Sequence, residues 1–308
     1  MTTTTRLVAF VAAVGSSGSI AAHAMMAQTA RFKTGVAGIR VDALVTDGRR
    51  PVSGLTAANF ELRDNGVLQQ ITDVSHEQLP LNIICVLDLS GSVAGRPLDH
   101  LKEGVTAIVD SLSKRDRAAL VSFASRLALH TGLTGDRAAL RGLVEKLEAG
   151  GATSVFDAAF AGLALRERDE GRTLMLLLSD GLDTSSWLPA RKAIAAARRS
   201  DVVIYPVTLR MPRFGRPTRI TNEIESAVEI LGAFADDTGG RVVYADSEAA
   251  LRKTFTEVLD EFRQRYVLTY VPSGTSETGW HTVEVKLKGR SGQVRARRGY
   301  FAGVGQEH

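Results

Sequence analysis

Ile83-Ile84-Cys85-Val86-Leu87-Asp88-Leu89-Ser90-Gly91-Ser92 is the stretch on which the fold turns. Its first five residues are apolar without alternation, which predicts a strand buried on both faces, as in a parallel sheet covered by helices. The run ends in a carboxylate, and two hydroxyls and a glycine follow it. Leu174-Met175-Leu176-Leu177-Leu178 repeats the pattern and ends in Ser179-Asp180-Gly181. Ala118 to Phe123 and Val202 to Val207 read as further strands, with Pro206 expected to mark the end of the second or an irregularity in it.

Helical spacing separates these strands. Leu98, Leu101, Val105, Ile108, Val109 and Leu112 recur on one side of a helix. Asp136–Leu147, Val155–Arg166, Leu188–Arg199, Ile224–Ala235 and Glu248–Arg265 read as helices too, with a short strand at Arg241–Tyr244. Strands alternating with helices predict an α/β fold: a Rossmann-like open, mostly parallel sheet with helices on both faces.

The two ends have a different texture. Ile39, Val41, Ala43 and Val45 alternate along a half-buried strand. Phe60–Asp64 and Val67–Ile71 flank Asn65-Gly66, a two-residue hairpin signal. Beyond the last helix, Tyr266–Val271, Val283–Lys288 and Val294–Arg297 read as strands. Since an isolated hairpin is marginal, the N- and C-terminal strands are expected to form one small sheet or sandwich beside the α/β domain. Lys286, Lys288, Arg290, Arg295, Arg297 and Arg298 are expected on a solvated strand face, and residues 211–221 in an exposed basic loop.

Composition narrows the class of protein. Of 308 residues, 44% are apolar and 23% charged, and 38 cationic against 34 anionic side chains leave a formal charge of +4. These values exclude a disordered chain and a polytopic membrane protein. Cys85 is the one cysteine, so an intrachain disulfide and a cysteine-rich metal site are excluded. Residues 1–24 have the form of an export signal: Arg6, the apolar run Leu7–Val14, and Ala22-His23-Ala24 before a cleavage point at Ala24, with Ala27 as the alternative. A periplasmic or secreted location is therefore expected. The organisation expected is signal peptide 1–24, β segment 25–80, α/β domain 81–265 and β tail 266–308.

The residues with chemistry to offer stand at the carboxyl ends of the buried strands, where open α/β sheets bind ligands. They are Asp88, Ser90 and Ser92 after the first strand, Thr153 in Gly150-Gly151-Ala152-Thr153-Ser154, and Asp180. All are hard oxygen donors, suited to Mg²⁺, Mn²⁺ or Ca²⁺. Two carboxylates ~6 Å apart repel by about 3 kcal/mol at an effective dielectric near ~20, and a divalent ion would remove that penalty. Neutral hydroxyl ligands would leave the ion electron-poor and open to an acidic group from another molecule. Singly, each of Ser90, Ser92 and Thr153 could equally be a helix cap.

Asp88-x-Ser90-x-Ser92, Thr153 after paired glycines, and Ser179-Asp180-Gly181 together resemble the metal-ion-dependent adhesion site of von Willebrand factor A domains. The resemblance covers roughly residues 81–265. The flanking β segments, with Arg295-Ala296-Arg297-Arg298-Gly299-Tyr300 in the tail, resemble the acidobacterial type of proteins related to that family. The resemblance implies that Ser90 and Ser92 ligate directly, and Thr153 directly or through water. It implies that Asp88 and Asp180 act mainly through water or hydrogen bonds. The remaining position would go to water or to a partner's Glu or Asp. Asp157 is expected to brace the loop, and Asp183 to be a solvated loop acid.

A noncatalytic module binding a protein or peptide partner through the cation is the expected function, with no nucleic-acid partner. The alternatives are a metal-dependent phosphohydrolase using Asp88 as nucleophile and a structural envelope component. Against catalysis, position 90 is Ser where a phosphatase would carry a second Asp. The sequence also holds no G-x-S-x-G, P-loop or G-x-G-x-x-G, and none of its histidines stands in triad or metal-ligand spacing.

Overall fold

The computed structural model describes residues 38–48, 50–76, 79–167, 171–179, 182–209 and 219–303. The expected signal of residues 1–24, residues 211–218 of the expected basic loop and Asp180 lie outside the described residues, while residues 219–221, expected in that loop, are helical. The chain passes through β1 (Ile39–Asp47), β2 (Arg50–Pro51), β3 (Phe60–Asp64), β4 (Val67–Gln69) and β5 (Ile71–His76) before β6 (Leu81–Asp88). Next come α1 (Arg96–Ser111), β7 (Arg117–Phe123), β8 (Leu127–Thr134), α2 (Arg137–Glu145), α3 (Val155–Ala164) and β9 (Arg172–Leu178). They are followed by α4 (Ala190–Arg199), β10 (Val203–Leu209), α5 (Arg219–Thr238), β11 (Val243–Ala245) and α6 (Leu251–Arg263). The tail holds β12 (Tyr266–Tyr270), β13 (Gly279–Leu287), β14 (Gln293–Ala296) and β15 (Gly299–Ala302).

The strand that opened the sequence reading, β6, is buried along its whole length. Leu81, Ile83, Cys85 and Leu87 point into one core, and Ile84 and Val86 into the other, as the two-residue period of a strand requires. α1, α2 and α6 close the first core with Leu101, Val105, Leu140, Phe255, Val258 and Phe262. α3, α4 and α5 close the second with Val155, Ala159, Ala193, Ala197, Leu231 and Phe234. The sheet order is β11-β10-β9-β6-β7-β8, parallel except for β8, which runs antiparallel to β7. The mostly parallel, doubly covered sheet expected from the sequence is thus present. After β6 the chain first builds outward through β7 and then returns to the other side of β6 with β9, so the order reverses between β6 and β9. The carboxyl ends of those two strands flank the crevice where such sheets bind ligands.

The two chain ends interleave in two antiparallel sheets. One runs β14-β1-β12-β5, with β2 paired to β1, and the other β15-β13-β3-β4. Val41, Ala43, Val45, Phe60, Leu62, Leu268 and Val283 share one core between them. Asn65 and Gly66 have φ of 48° and 79°, the left-handed pair that a tight hairpin needs. Two buried arginines join this layer to the α/β layer. Arg265 donates to Gly239 O, Asp42 O and the Tyr205 hydroxyl. Arg172 donates to Phe262 O and Arg265 O just beyond α6.

Several expectations are corrected. Val67–Ile71 is not one strand: it ends at Gln69, and the chain crosses to the other sheet as β5. The Gln69 amide holds Ser273 N and Ser273 O, so it anchors the crossing where a simple strand pattern shows no break. The strand β8 was not read from the sequence: it is an edge strand with Leu127 and Leu129 exposed, and it lacks the continuous buried apolar run that marks β6 and β9. Pro206 does not end β10, which continues to Leu209. Ile204 N donates to Thr238 Oγ1 rather than to β9. Two residues on, Pro206 presents its missing donor to the same side, where pairing with β11 begins only at Val207. Of the tail cations expected on a solvated face, Lys286, Lys288, Arg290, Arg295 and Arg298 are exposed and Arg297 is half-buried, and three of them also bind back to the chain. Arg295 donates to Gly240 O, Arg297 to Arg198 O, and Arg298 to Asp236.

Candidate functional site

Asp88 ends β6 and is 3% exposed, with Ser90 at 5% just beyond it and Ser92 in the open. Asp88 Oδ1 accepts from Ser90 N at 2.9 Å, and Oδ2 accepts from the Ser179 hydroxyl at 3.2 Å. Ser179 directly follows β9, so this bond ties the two strand ends across the crevice. The Ser90 and Ser92 hydroxyl oxygens lie 3.1 Å apart. Ser90 precedes a single 3-10 turn, yet its side chain makes no capping hydrogen bond, and the residue before α1 is Gly95. Helix capping therefore does not account for these two hydroxyls.

A second segment is fastened to the first by reciprocal backbone bonds. Gly150 N donates to Leu89 O at 2.7 Å, and Gly91 N to Gly151 O at 3.1 Å. Gly151 has φ of +100°, and a Cβ there would stand 2.5 Å from the Ser125 hydroxyl, so the position admits glycine alone. The Ser125 hydroxyl in turn accepts from Ala152 N. Thr153 follows, half-buried, at the entrance to α3.

The third segment follows β9. Thr153 O accepts from Thr184 N and Ser185 N, and Thr153 N donates to the Thr184 hydroxyl. Asp157, in the first turn of α3, accepts from Trp187 N and Leu188 N, both at 2.9 Å. It braces the loop after β9. Asp183 is half-buried, not a solvated loop acid: its Oδ1 accepts from Val155 N at 2.8 Å and from the Ser186 hydroxyl at 2.6 Å. It caps α3 from a distant point of the chain, which sequence spacing could not reveal.

The structure thus gathers Asp88, Ser90 and Ser92 in one loop and fastens the Thr153 segment to it. Asp180 lies outside the described residues, next to Ser179. Ser125, Ser179 and Thr184 support this geometry and were not singled out from sequence. Only Ser179 carried a signal, being adjacent to Asp180. Among the described residues no group of three or more His, Cys, Asp and Glu could hold a metal ion. A cation here would rest largely on neutral hydroxyl oxygens beside a carboxylate, a donor set that fits a hard divalent ion.

Histidine spacing along the sequence suggested no triad, but in space His281 lies between Asp64 and Ser276. Its Nδ1 is 2.7 Å from Asp64 Oδ1 and its Nε2 is 3.1 Å from the Ser276 hydroxyl. Asp64 Oδ2 also accepts from the hydroxyls of Tyr270 and Tyr300, at 2.8 and 2.7 Å. Burial first, then the bond to Asp64, raises the Tyr300 pKa, so Tyr300 stays a neutral donor. His281 is fully buried, with both ring nitrogens taken up by partners within the chain. The cluster is a polar knot joining both antiparallel sheets.

A mostly parallel sheet with hydroxyl and carboxylate side chains at its switch point defines a class of α/β ligand-binding domain. Residues 83–184 match the family model described as the von Willebrand factor type A domain, and that segment is a domain of this family. It is 25% identical over 263 residues to an inter-alpha-trypsin inhibitor heavy chain of Bos taurus, covering 79% of this chain and 27% of that relative. The chain spans about a quarter of the length of the curated relatives it matches. In fold it is similar to a von Willebrand factor type A structure from Catenulispora acidiphila, with a TM-score of 0.52 and 15% identity over 84% of this chain and 75% of that one. It is also similar to proximal thread matrix protein 1 of the mussel byssus, a structure described as having a zinc-occupied metal-ion-dependent adhesion site motif. There the TM-score is 0.51 and the identity 20%, over 66% of this chain and 50% of that one. No helix among the described residues is long and apolar enough to cross a membrane.

Proposed function

We propose that this chain is an exported, noncatalytic interaction module. It would capture a protein or peptide partner through a divalent cation, Mg²⁺ or else Mn²⁺ or Ca²⁺, held by Asp88, Ser90, Ser92, Thr153 and Asp180. The observation that carries the reading is the pair of hydroxyls on Ser90 and Ser92, 3.1 Å apart, unused as caps and beside a buried carboxylate at the switch point. A zinc-occupied site of this name in the mussel protein supports it by analogy. The bound cation would supply a Lewis-acidic position for a carboxylate of the partner.

This chain's residues do the rest. Asp88 spends Oδ1 on Ser90 N and Oδ2 on Ser179, so it orients the hydroxyl loop. Position 90, where a phosphohydrolase would carry a second Asp, is Ser, and no observation favours that reading. Periplasmic or extracellular location is part of the proposal and rests on the apolar run and the Ala22-His23-Ala24 pattern in residues 1–24.

Calorimetric titration of the purified chain with Mg²⁺, Mn²⁺ and Ca²⁺ tests the reading. Wild type is expected to take up at least one of these ions, Ser90→Ala with Ser92→Ala much less, and Asp88→Ala much less. No uptake of any of the three by wild type would overturn it.

A further inference from the structure

We propose that Trp187 is the apolar anchor of the partner-binding face, and that the partner segment is an extended acidic peptide with a large apolar side chain two or three residues from its acid. This rests on the cation reading and adds to it the second element of recognition.

Trp187 is 95% exposed, the most exposed of the large hydrophobic side chains. Such exposure is ordinary on a mobile loop, but this backbone is held at every step. Asp157 takes Trp187 N and Leu188 N, Asp183 takes Ser186 Oγ, and Ser186 Oγ takes Phe156 N. Thr184 and Ser185 are bonded to Thr153 itself. A fixed backbone that presents a solvated indole has already lost the backbone entropy that an anchor must lose on binding. Aromatic side chains held this way are the commonest binding hot spots.

Position and charge identify the occupant. Trp187 belongs to the loop that leaves the carboxyl end of β9. That loop is bonded to Thr153 through Thr184 and Ser185 and to the first turn of α3 through Asp157, so it lies at the same end of the sheet as the candidate oxygens. Three residues separate Trp187 from Thr184, which spans at most about 10 Å. An extended peptide advances about 3.3 Å per residue, so an acid and an apolar side chain two or three residues apart, about 7–10 Å, fall within that reach. The carboxylates against this loop, Asp157 and Asp183, are half-buried and accept from the chain's own N–H and O–H groups. Residues 184–199 add no acidic side chain, and Arg191 and Lys192 are exposed in the first turn of α4. Arg126 is exposed next to Ser125, on the other flank of the glycine loop. Those charges favour an acidic segment over a basic one.

A phage-displayed heptapeptide library, panned on the full chain in Mg²⁺ and eluted with EDTA, tests this. Enriched peptides are expected to pair Asp or Glu with a large apolar residue at a spacing of two or three. The best synthetic peptide should bind Trp187→Ala at least about tenfold more weakly than wild type, with most affinity kept by Trp187→Phe. Its binding should shift the fluorescence of wild type and not of Trp187→Phe. The inference is overturned if EDTA-eluted peptides share an acid but no apolar partner, if Trp187→Ala binds them unchanged, or if no peptide enriches. The cation reading fails separately: Asp88→Ala would then bind the peptides undiminished, or wild type would take up no Mg²⁺ by calorimetry.

Discussion

Asp64 is a buried carboxylate whose two oxygens meet His281, Tyr270 and Tyr300, so three side chains from β12, β13 and β15 depend on one residue of β3. Removing it leaves three buried donors without an acceptor, each costing about 1–3 kcal/mol. Asp64→Ala is expected to lower stability by about 3–5 kcal/mol in urea unfolding, with the α/β strands least affected in native-state hydrogen exchange. A loss under about 1 kcal/mol would show that the knot is not a determinant of stability. The tail motif Arg295-Ala296-Arg297-Arg298-Gly299-Tyr300 has a physical sense in this setting. Tyr300 completes the knot, and a Cβ on Gly299 would lie 2.1 Å from His281 O, so the strand must pass there without a side chain. None of this was visible along the sequence, where Asp64 read as the end of a hairpin strand and His281 as an isolated histidine.

At the scale of elements, β10 shows how a tertiary contact overrides a local rule. Proline in an interior strand argues against the strand, because a ladder donor is lost. Here the α5 terminus substitutes for a neighbouring strand: Thr238 Oγ1 accepts from Ile204 N at 3.0 Å and donates to Phe234 O at 2.8 Å. Thr238→Val keeps the shape and strips the acceptor. It is expected to cost about 1–3 kcal/mol through the orphaned Ile204 N–H, measured by thermal or chemical unfolding. It should also speed exchange of the Ile204 amide selectively. The helices were the most legible elements. α2 begins where Asp136 accepts from Ala139 N, and α1 begins where Pro97 stands in its first turn. β8 was the least legible, since an exposed edge strand carries no continuous apolar run.

At the scale of the molecule, Asp116 fastens three distant parts of the α/β layer. It accepts from Leu81 N at the start of β6, from Ser113 N after α1, and from Arg263 at the end of α6. Burial by itself would raise its pKa, but the bonds from Ser113, Leu81 and Arg263 together outweigh that and hold the pKa below the usual carboxylate value. A folded-state pKa below the unfolded value means that the unfolded chain binds the proton more readily. The contribution of Asp116 is therefore complete above about pH 4 and is lost as pH falls through its folded pKa. Asp116→Asn is expected to be less stable at neutral pH and to lose less on acidification, as read from urea midpoints between pH 7 and pH 3. Parallel curves for the two proteins would refute the assignment.

The sequence by itself determined the α/β class, the burial of β6 and β9 and the strand ends at which Asp88 and Ser90 stand, because runs of apolar residues and their periods are local properties. It also determined that the two chain ends are β-rich. Only the tertiary structure decided that these ends interleave into two sheets, that Asp64 and His281 meet at their centre, and that Asp183 caps α3. Those are pairings between residues far apart in the chain, and no local period records which remote donor a buried acceptor will find.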